Sequence, residues 1–206
     1  MIIEMRSYRL KPGSTPEVEK RFGEALRDRV KVSPLGAFFH SEVGPLNRII
    51  HCWPYENLGE RTRLRGEATK LPGWPPKIQE FLEEMESKII IPAPFSPKLE
   101  PRQLGNLYEI RIYTFKPGGI PATIDRWSTQ IAERTKLSPL VGAWHSEIGG
   151  LNKWCHIWAY KDAGERFRIR EEARSKGIWP PKGGQPGLML KQENMLVVPA
   201  TFSPLR

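Results

Sequence analysis

The stretch "SPLGAFFHSEVG", which begins at Ser33, returns 105 residues later as "SPLVGAWHSEIG", which begins at Ser138. Outward from it, residues 4–77 align with residues 109–182 at the same offset, with 33 identities in 74 positions. The insertion "GGQPG" then shifts the offset to 107, and "PAPFSP" aligns with "PATFSP". The chain is therefore an internal duplication, with predicted domains at residues 1–97 and 106–206.

Each copy predicts the order β-α-β-β-α-β. The first strand alternates between apolar and polar residues, a "KPG" turn follows it, and a helix carries an apolar stripe. Two strands joined by a turn come next, and Asn57 and Glu60 have capping-box spacing before a second helix. We also expect a helix that holds Ile78, Phe81, Leu82 and Met85 at i, i+3, i+4 and i+7, before a last strand "KIIIP" or "MLVVP".

This order is that of a ferredoxin-like unit, an α+β fold. Helices cover one face of such a sheet and leave the other face free to pack against a second sheet. The sequence therefore predicts two tandem ferredoxin-like domains that pair as a dimeric α/β-barrel. Whether the barrel forms within one chain or between two chains stays open at this point.

Composition limits the classes of partner. The formal charge is +9, but neither half contains a run of like charges, so a mixed solvated surface is favoured over nucleic-acid binding. Cys52 and Cys155 occupy non-equivalent positions of the repeat, which argues against a disulfide framework and indicates a reducing compartment. No apolar run approaches the roughly 20 residues of a membrane span. We expect a soluble cytoplasmic protein without a membrane or nucleic-acid partner.

One face of the predicted sheet is polar in both copies. The opposite face is apolar, with Ile3, Met5, Phe39, Ile50 and Cys52, and suits a core packed under helices. We therefore expect the polar face to line the barrel interior and to bind a ligand there. Its residues are Glu4, Arg6, Tyr8, His40, Glu42, His51, Trp53 and Tyr55 in the first copy, and Glu109, Arg111, Tyr113, His145, Glu147, His156, Trp158 and Tyr160 in the second.

Histidine and glutamate pairs on this face suggest general acid–base chemistry. The ligand-binding candidates are the Glu, Arg, Tyr and Trp residues of the first and third strands. The alternative is structural, because Glu4 and Arg6 can form an ion pair that only satisfies a buried polar face. The catalytic candidates are His40, Glu42, His51, His145, Glu147 and His156.

Other features have simpler interpretations. A metal site of His40, Glu42 and His51 is geometrically conceivable, but nothing in the sequence fixes the strand register, so neither a metal nor a cofactor is predicted. Arg61 and Arg65, like Arg166 and Arg170, lie one helical turn apart. Anion binding is one interpretation, but an exposed face paired with glutamates such as Glu60 or Glu67 is favoured. "WPPK", at Trp74 and Trp179, is expected to anchor a loop by burying its ring, with a lid over the barrel mouth as the less favoured alternative.

The sequence resembles the NIPSNAP family. "EMRSYRLKPG" and "EIRIYTFKPG" resemble its opening strand and turn, and "HSEVGPLNRIIHCWPYENLGERTRLR" and "HSEIGGLNKWCHIWAYKDAGERFRIR" resemble its central hairpin and helix. The resemblance implies the dimeric α/β-barrel superfamily, which includes cofactor-independent monooxygenases, haem-handling enzymes, isomerases and binding proteins. No catalytic motif of those enzymes matches residue by residue.

Two functions follow as hypotheses. The first is binding of a small polar or aromatic molecule inside the barrel, by a cofactor-independent oxygenase or isomerase or by a protein that only binds. The alternative is a non-enzymatic interaction protein or scaffold that uses its outer surface. A homodimer is expected, because edge strands remain available for association.

Overall fold

The computed structural model describes residues 1–184 and 186–206; the predicted insertion at residues 183–187 therefore includes one residue outside the described part. Each half has the predicted order of strands and helices. The eight strands are β1 (Ile2–Leu10), β2 (Ala37–Val43), β3 (Arg48–Tyr55), β4 (Leu82–Pro92), β5 (Leu107–Phe115), β6 (Leu140–Ile148), β7 (Lys153–Tyr160) and β8 (Met189–Pro199).

The strands close into one antiparallel barrel in the order β1-β3-β2-β8-β5-β7-β6-β4. Within each half the order is the ferredoxin-like one, with the first and third strands at the centre. Two seams join the halves: β2 pairs with β8, where Phe39 lies opposite Pro199, and β4 pairs with β6, where Ile91 lies opposite His145. The predicted α/β-barrel is confirmed, and both of its halves come from one chain.

The barrel interior is a packed apolar core shared by both halves. Ile3 and Cys52 from the first half meet Ile110 and Ile157 from the second, and Leu99 from the connecting segment joins the same cluster. An eight-stranded barrel is just wide enough for side chains to fill. The prediction that the polar face points into the barrel is therefore wrong, because the apolar face is the one that fills this space.

Helices cover the outer face of the barrel. Val18, Phe22 and Leu26 on the first helix pack against strand residues of the first half, as the apolar stripe predicts. In the second half the corresponding helix is divided in two. The helices are α1 (Thr15–Val32), α2 (Leu58–Ala68), α3 (Gly119–Ser128), α4 (Ile131–Thr135) and α5 (Ala163–Ser175).

Local signals around α2 are partly confirmed. Asn57 Oδ1 accepts a hydrogen bond of 2.9 Å from the backbone N–H of Glu60, which is the predicted N-cap.

The prediction of a helix around residues 78–85 is wrong. A short 3-10 turn at Gln79–Phe81 leads directly into β4. Pairing of β4 with β1 supplies the backbone hydrogen bonds there and overrides the local helical spacing.

Candidate functional site

Two equivalent cavities lie outside the barrel, between the sheet and the helices of each half. The first, here called the N-terminal pocket, has a volume of about 290 Å³, and the second, the C-terminal pocket, of about 260 Å³. The polar face of the sheet forms the floor of both. Equivalent lining residues are Arg6, Tyr8, Arg29, His51, Trp53, Arg65 and Trp74 in the N-terminal pocket, and Arg111, Tyr113, Arg134, His156, Trp158, Arg170 and Trp179 in the C-terminal pocket.

Glu4 organises the arginines beside the N-terminal pocket. Its fully buried carboxylate accepts hydrogen bonds from Arg61 at 2.6 Å, from Arg6 at 2.8 Å and from the Ser87 hydroxyl at 2.8 Å, and Arg65 lies 3.5 Å away. Burial alone would raise the pKa of Glu4, but these donors and charges outweigh it and lower the pKa to about 2. Glu4 is therefore ionised at neutral pH and forms ion pairs with three arginines.

Glu109 repeats this arrangement in the second half. Arg111 and Arg166 each donate to it at 2.6 Å, Arg170 lies 3.6 Å away, and Asn194 donates at 3.1 Å in the place of a serine. The donors lower the pKa of Glu109 against the opposing effect of burial. We expected Arg61, Arg65 and their counterparts on exposed helix faces. That expectation is wrong, because the helices turn these side chains inward to Glu4 and Glu109.

His51 lines the N-terminal pocket and carries a donor that has no partner among the described residues. The ring is 2% exposed, and its Nδ1 accepts a hydrogen bond of 2.6 Å from the indole N–H of Trp53. Because an indole nitrogen can only donate, the proton of the neutral ring resides on Nε2. Burial, with the charge of Arg6, lowers the pKa of His51 to about 3. Among the described residues, Nε2 has no hydrogen-bond partner.

His156 has the same environment in the C-terminal pocket. It is 1% exposed and accepts a 2.8 Å hydrogen bond at Nδ1 from Trp158. Burial and the charge of Arg111 lower its pKa well below the usual value. Its Nε2 likewise has no partner within the described part of the chain. Two neutral histidines therefore offer N–H groups at equivalent positions.

Arg29 forms the inner wall of the N-terminal pocket. Its guanidinium carbon lies 4.3 Å from the ring centre of Trp53 and 5.4 Å from that of Trp74, which are cation–π distances. It donates to the Ser33 hydroxyl at 2.6 Å and to the Tyr55 hydroxyl at 3.2 Å. These contacts orient a buried charge whose position is fixed before any ligand arrives.

The titratable groups that line the N-terminal pocket are all hydrogen-bond donors at neutral pH. Arg6 Nε donates to the Tyr8 oxygen at 2.6 Å, which leaves the phenolic O–H free to donate. Burial raises the pKa of Tyr8, so the phenol stays protonated. With His51, Arg29 and the other arginines, the lining can bind a negative charge but offers no free base.

The predicted site residues divide into three groups. Those that line the pockets are Arg6, Tyr8, His51, Trp53, Arg111, Tyr113, His156 and Trp158. Those that lie behind the lining and hold its arginines are Glu4, Tyr55, Glu109 and Tyr160. Those that lie outside the pockets are His40, Glu42, His145 and Glu147.

The excluded histidines and glutamates do not join His51 or His156. His40 Nδ1 lies 2.7 Å from a carboxylate oxygen of Glu19 on α1, and that hydrogen bond raises its pKa. Glu42 and Glu147 are exposed. The expected His–Glu acid–base pairs are therefore not assembled. Within residues 1–184 and 186–206, no group of three or more His, Cys, Asp or Glu side chains is placed to hold a metal ion.

Sequence reasoning did not select several lining positions as site residues, and three of these recur in both halves with identical residues. Arg29, Arg65 and Trp74 come from helices or loops, so strand alternation could not reveal them. One signal was present: each is identical in the second copy, at Arg134, Arg170 and Trp179. Identity between the copies at helix and loop positions, where packing tolerates change, pointed to a common role.

The fold and its pair of pockets define an α/β-barrel protein built from two ferredoxin-like halves in one chain. The model of the NIPSNAP family matches residues 3–97 and 108–204. The chain therefore belongs to the NIPSNAP family. In the described part of the chain, no helix is both long and apolar enough to cross a membrane.

Relatives agree with the family assignment, and two solved structures agree with the fold. Protein NipSnap homolog 3A of Homo sapiens is 28% identical over 211 residues, which are 98% of this chain and 85% of the relative. Protein NipSnap homolog of Dictyostelium discoideum is 30% identical over 188 residues, covering 86% and 78%. A Fusobacterium nucleatum protein called "Putative monooxygenase" superposes with a TM-score of 0.68 at 12% identity, covering 97% of this chain and 92% of its own. An anthrone oxidase-like protein superposes with a TM-score of 0.59 at 11% identity, covering 98% of this chain and 93% of its own. These two likenesses show the fold alone.

Proposed function

We propose that the protein binds a small organic anion with an apolar or aromatic body in the pockets between sheet and helices. The observation that carries this proposal is the buried Nε2–H of His51, a residue that lines the cavity: this donor has no partner among the described residues. Leaving a buried donor unpaired costs about 1–3 kcal/mol. A ligand oxygen at this position recovers that free energy.

Charge and shape support the same class of ligand. Arg6, Arg29 and Arg65 line the N-terminal pocket, and within the described residues Glu4 is the carboxylate that pairs with Arg6 and Arg65. Phe22 and Trp74 supply apolar walls. A cavity of about 290 Å³ is close to the lower end of the usual range for small-molecule sites. An aromatic carboxylate satisfies both the cationic and the apolar parts.

A second candidate function is cofactor-independent oxygenation or isomerisation. The donor-only lining favours it, because His51 Nε2–H and the Tyr8 hydroxyl can stabilise negative charge that develops on a substrate oxygen. A neutral histidine acts in this way as an electrophile and not as a base. The substrate would then have to arrive already ionised, as an acidic phenol or enol does. Fold likeness to proteins named for monooxygenase and anthrone oxidase supports this candidate at the level of fold only.

Binding of 1-naphthoate, followed by tryptophan fluorescence and calorimetry, tests the proposal. We expect His51→Phe and Arg65→Gln each to weaken binding about tenfold, and the neutral 1-naphthamide to bind more weakly than the acid. His145→Phe is the matched control, because that half-buried histidine lies outside both pockets. Equal affinity for the acid and the amide, unaffected by both pocket variants, would sink the proposal and favour the interaction-protein alternative.

The cytoplasmic location and the homodimer remain predictions. The homodimer was expected from free edge strands, but each of the eight described strands is paired on both sides in the closed barrel, so the prediction has lost that basis. Both cysteines are free and buried, which agrees with a reducing compartment. Native mass spectrometry of gently purified protein measures the chain count, and it also reveals any ligand retained from the cell as mass lost on denaturation.

A further inference from the structure

We propose that the two pockets recognise different anions: the N-terminal pocket a singly charged amphipathic one, and the C-terminal pocket a phosphate monoester. This inference rests on the proposed function, that both pockets bind anions, and adds a division of specificity between them. It depends on the few positions at which two otherwise equivalent pockets differ.

The shared part of each pocket is an anion site. His51 and His156 each bring a buried Nε2–H without a partner among the described residues. Arg65 and Arg170 occupy the same helical position beside them. Because these elements are identical, they cannot discriminate between ligands, and any difference in specificity has to come from the remaining lining.

The first difference is an added cation in the C-terminal pocket. Thr69 in the first half corresponds to Arg174 in the second, and both line their pockets. Arg174 is paired with Glu171 at 3.3 Å, but both side chains are about two-thirds exposed, at 67% and 68%. Such a surface pair is weak, so Arg174 is available to a ligand. Its planar guanidinium suits the oxygens of a phosphate group.

The second difference is the loss of an apolar wall. Met85 on β4 corresponds to Gln192 on β8, which places an amide in the lining where the N-terminal pocket has a thioether. Leu82 lines the N-terminal pocket, whereas its counterpart Met189 does not line the C-terminal one. The C-terminal pocket therefore has less apolar surface to hold a hydrophobic body.

The third difference lies beneath the histidines. Phe22 lines the N-terminal pocket, but its counterpart Trp127 packs with its ring centre 4.7 Å from that of His156 and 4.6 Å from that of Trp179. The equivalent distances for Phe22, to the ring centres of His51 and Trp74, are longer at 5.1 Å and 5.5 Å, so the larger indole ring lies closer to both of its neighbours. A compact ligand, with one ring against Trp179 and a doubly charged group among the arginines, fits the narrower site.

Calorimetry on the full chain with two probes, 1-naphthoate and phenyl phosphate, tests this division. Arg65→Gln should weaken 1-naphthoate about tenfold and leave phenyl phosphate unchanged, and Arg170→Gln should do the reverse. The double variant Arg174→Thr/Gln192→Met, which installs the residues of the N-terminal pocket, should weaken phenyl phosphate at least tenfold. Arg168→Thr is the matched control, since this exposed arginine of the same helix lies outside the pocket.

The outcomes separate this inference from the proposed function. Suppose that Arg65→Gln weakens the binding of 1-naphthoate, while the affinity for phenyl phosphate is the same in the double variant as in the parent. The division of specificity is then overturned, and the anion site of the proposed function stands. If Arg168→Thr loses as much affinity for phenyl phosphate as the double variant does, the division of specificity is also overturned, because surface charge alone then explains the binding. If neither probe responds to Arg65→Gln or Arg170→Gln, both the inference and the proposed function fail.

Discussion

The indole N–H of Trp53 lies 2.6 Å from Nδ1 of His51, two residues earlier on the same strand. Side chains two residues apart on a strand share a face, so the pair needs no other element to bring it together. The contact fixes which ring nitrogen carries the proton. It thereby makes Nε2 the fixed donor of a histidine that lines a cavity.

Replacing Trp53 by Phe should release the tautomer of His51. Nδ1 then competes for the proton, and the affinity for 1-naphthoate should fall about three- to tenfold, in line with the loss of about one hydrogen bond. Nitrogen-15 NMR of the histidine rings reports the tautomer directly. In Trp158→Phe, the matched control, only the His156 resonances should change; an unaltered His51 spectrum in Trp53→Phe would contradict the assignment.

Glu4→Gln should be strongly destabilising. The change leaves Arg6, Arg61 and Arg65 crowded around a buried site without their counter-ion. Removing one partner of such a buried ion pair costs about 3–5 kcal/mol. Urea unfolding measures the loss, and the exposed Glu42→Gln should stay within about 0.5 kcal/mol of the parent. Similar midpoints for the two variants would show that Glu4 does not organise the arginines.

Stability should decrease as the pH falls from neutrality. The pKa of His51 is about 3 in the folded protein against 6.5 ordinarily, so its contribution is complete above pH 6.5 and is lost as the pH falls towards 3. The stabilising contribution of Glu4 is lost at lower pH, between about 4.5 and 2, because its pKa is also lowered in the folded protein, from 4.5 to about 2. His51→Phe should flatten the curve between pH 6.5 and 4.5, changing its slope by about 1 kcal/mol per pH unit. Parallel curves for the parent and the variant would refute a buried neutral His51.

Arg29→Lys should destabilise the first half although the charge is retained. Lysine cannot supply the planar group that lies on Trp53 and donates to both Ser33 and Tyr55. We expect a loss of about 2 kcal/mol in unfolding free energy. Arg27→Lys, at an exposed position of the same helix, should cost less than about 0.5 kcal/mol. If Arg29→Lys lost as little unfolding free energy as Arg27→Lys, the contacts of Arg29 would not be what stabilises the inner wall of the pocket.

The packed barrel interior can be tested through its cysteines. Cys52 is 0% and Cys155 4% exposed, and burial raises the pKa of both thiols, that of Cys155 to about 12. Neither should react with a thiol reagent in the native protein, and both should react on unfolding at the unfolding rate. Fast labelling of either thiol under native conditions would be incompatible with a filled interior.

The repeat predicted most of the architecture. Alternation on the strands and capping at Asn57 are local signals, and the duplication indicated that two sheets meet. The domain boundaries at residues 97 and 106 stay a prediction. The helix expected at residues 78–85 failed, because a strand of eleven residues can carry the same apolar spacing when its partner strand decides the backbone.

The orientation of the sheet could not be predicted from alternation. Both faces of the first and third strands of each half are largely buried, so alternation separates two faces without saying which one is inside. We assigned the apolar face to the helices; instead the inward-turned arginines of α2 and α5 compensate the polar face there. His51 and His156 were recognised as candidates, whereas Arg29 and Trp74 reach the site only through tertiary packing.

The seam between β2 and β8 has a consequence for synthesis of the chain. Phe39 cannot meet its partner until Pro199 has left the ribosome, long after the first half has been made. Until the second half has been made, the inner face of the first sheet is an uncovered apolar surface. Two nascent chains on one message present complementary halves during this interval, and each can complete the other. The order of translation thus sets a time window in which chains can exchange halves, and it closes only with the last strand.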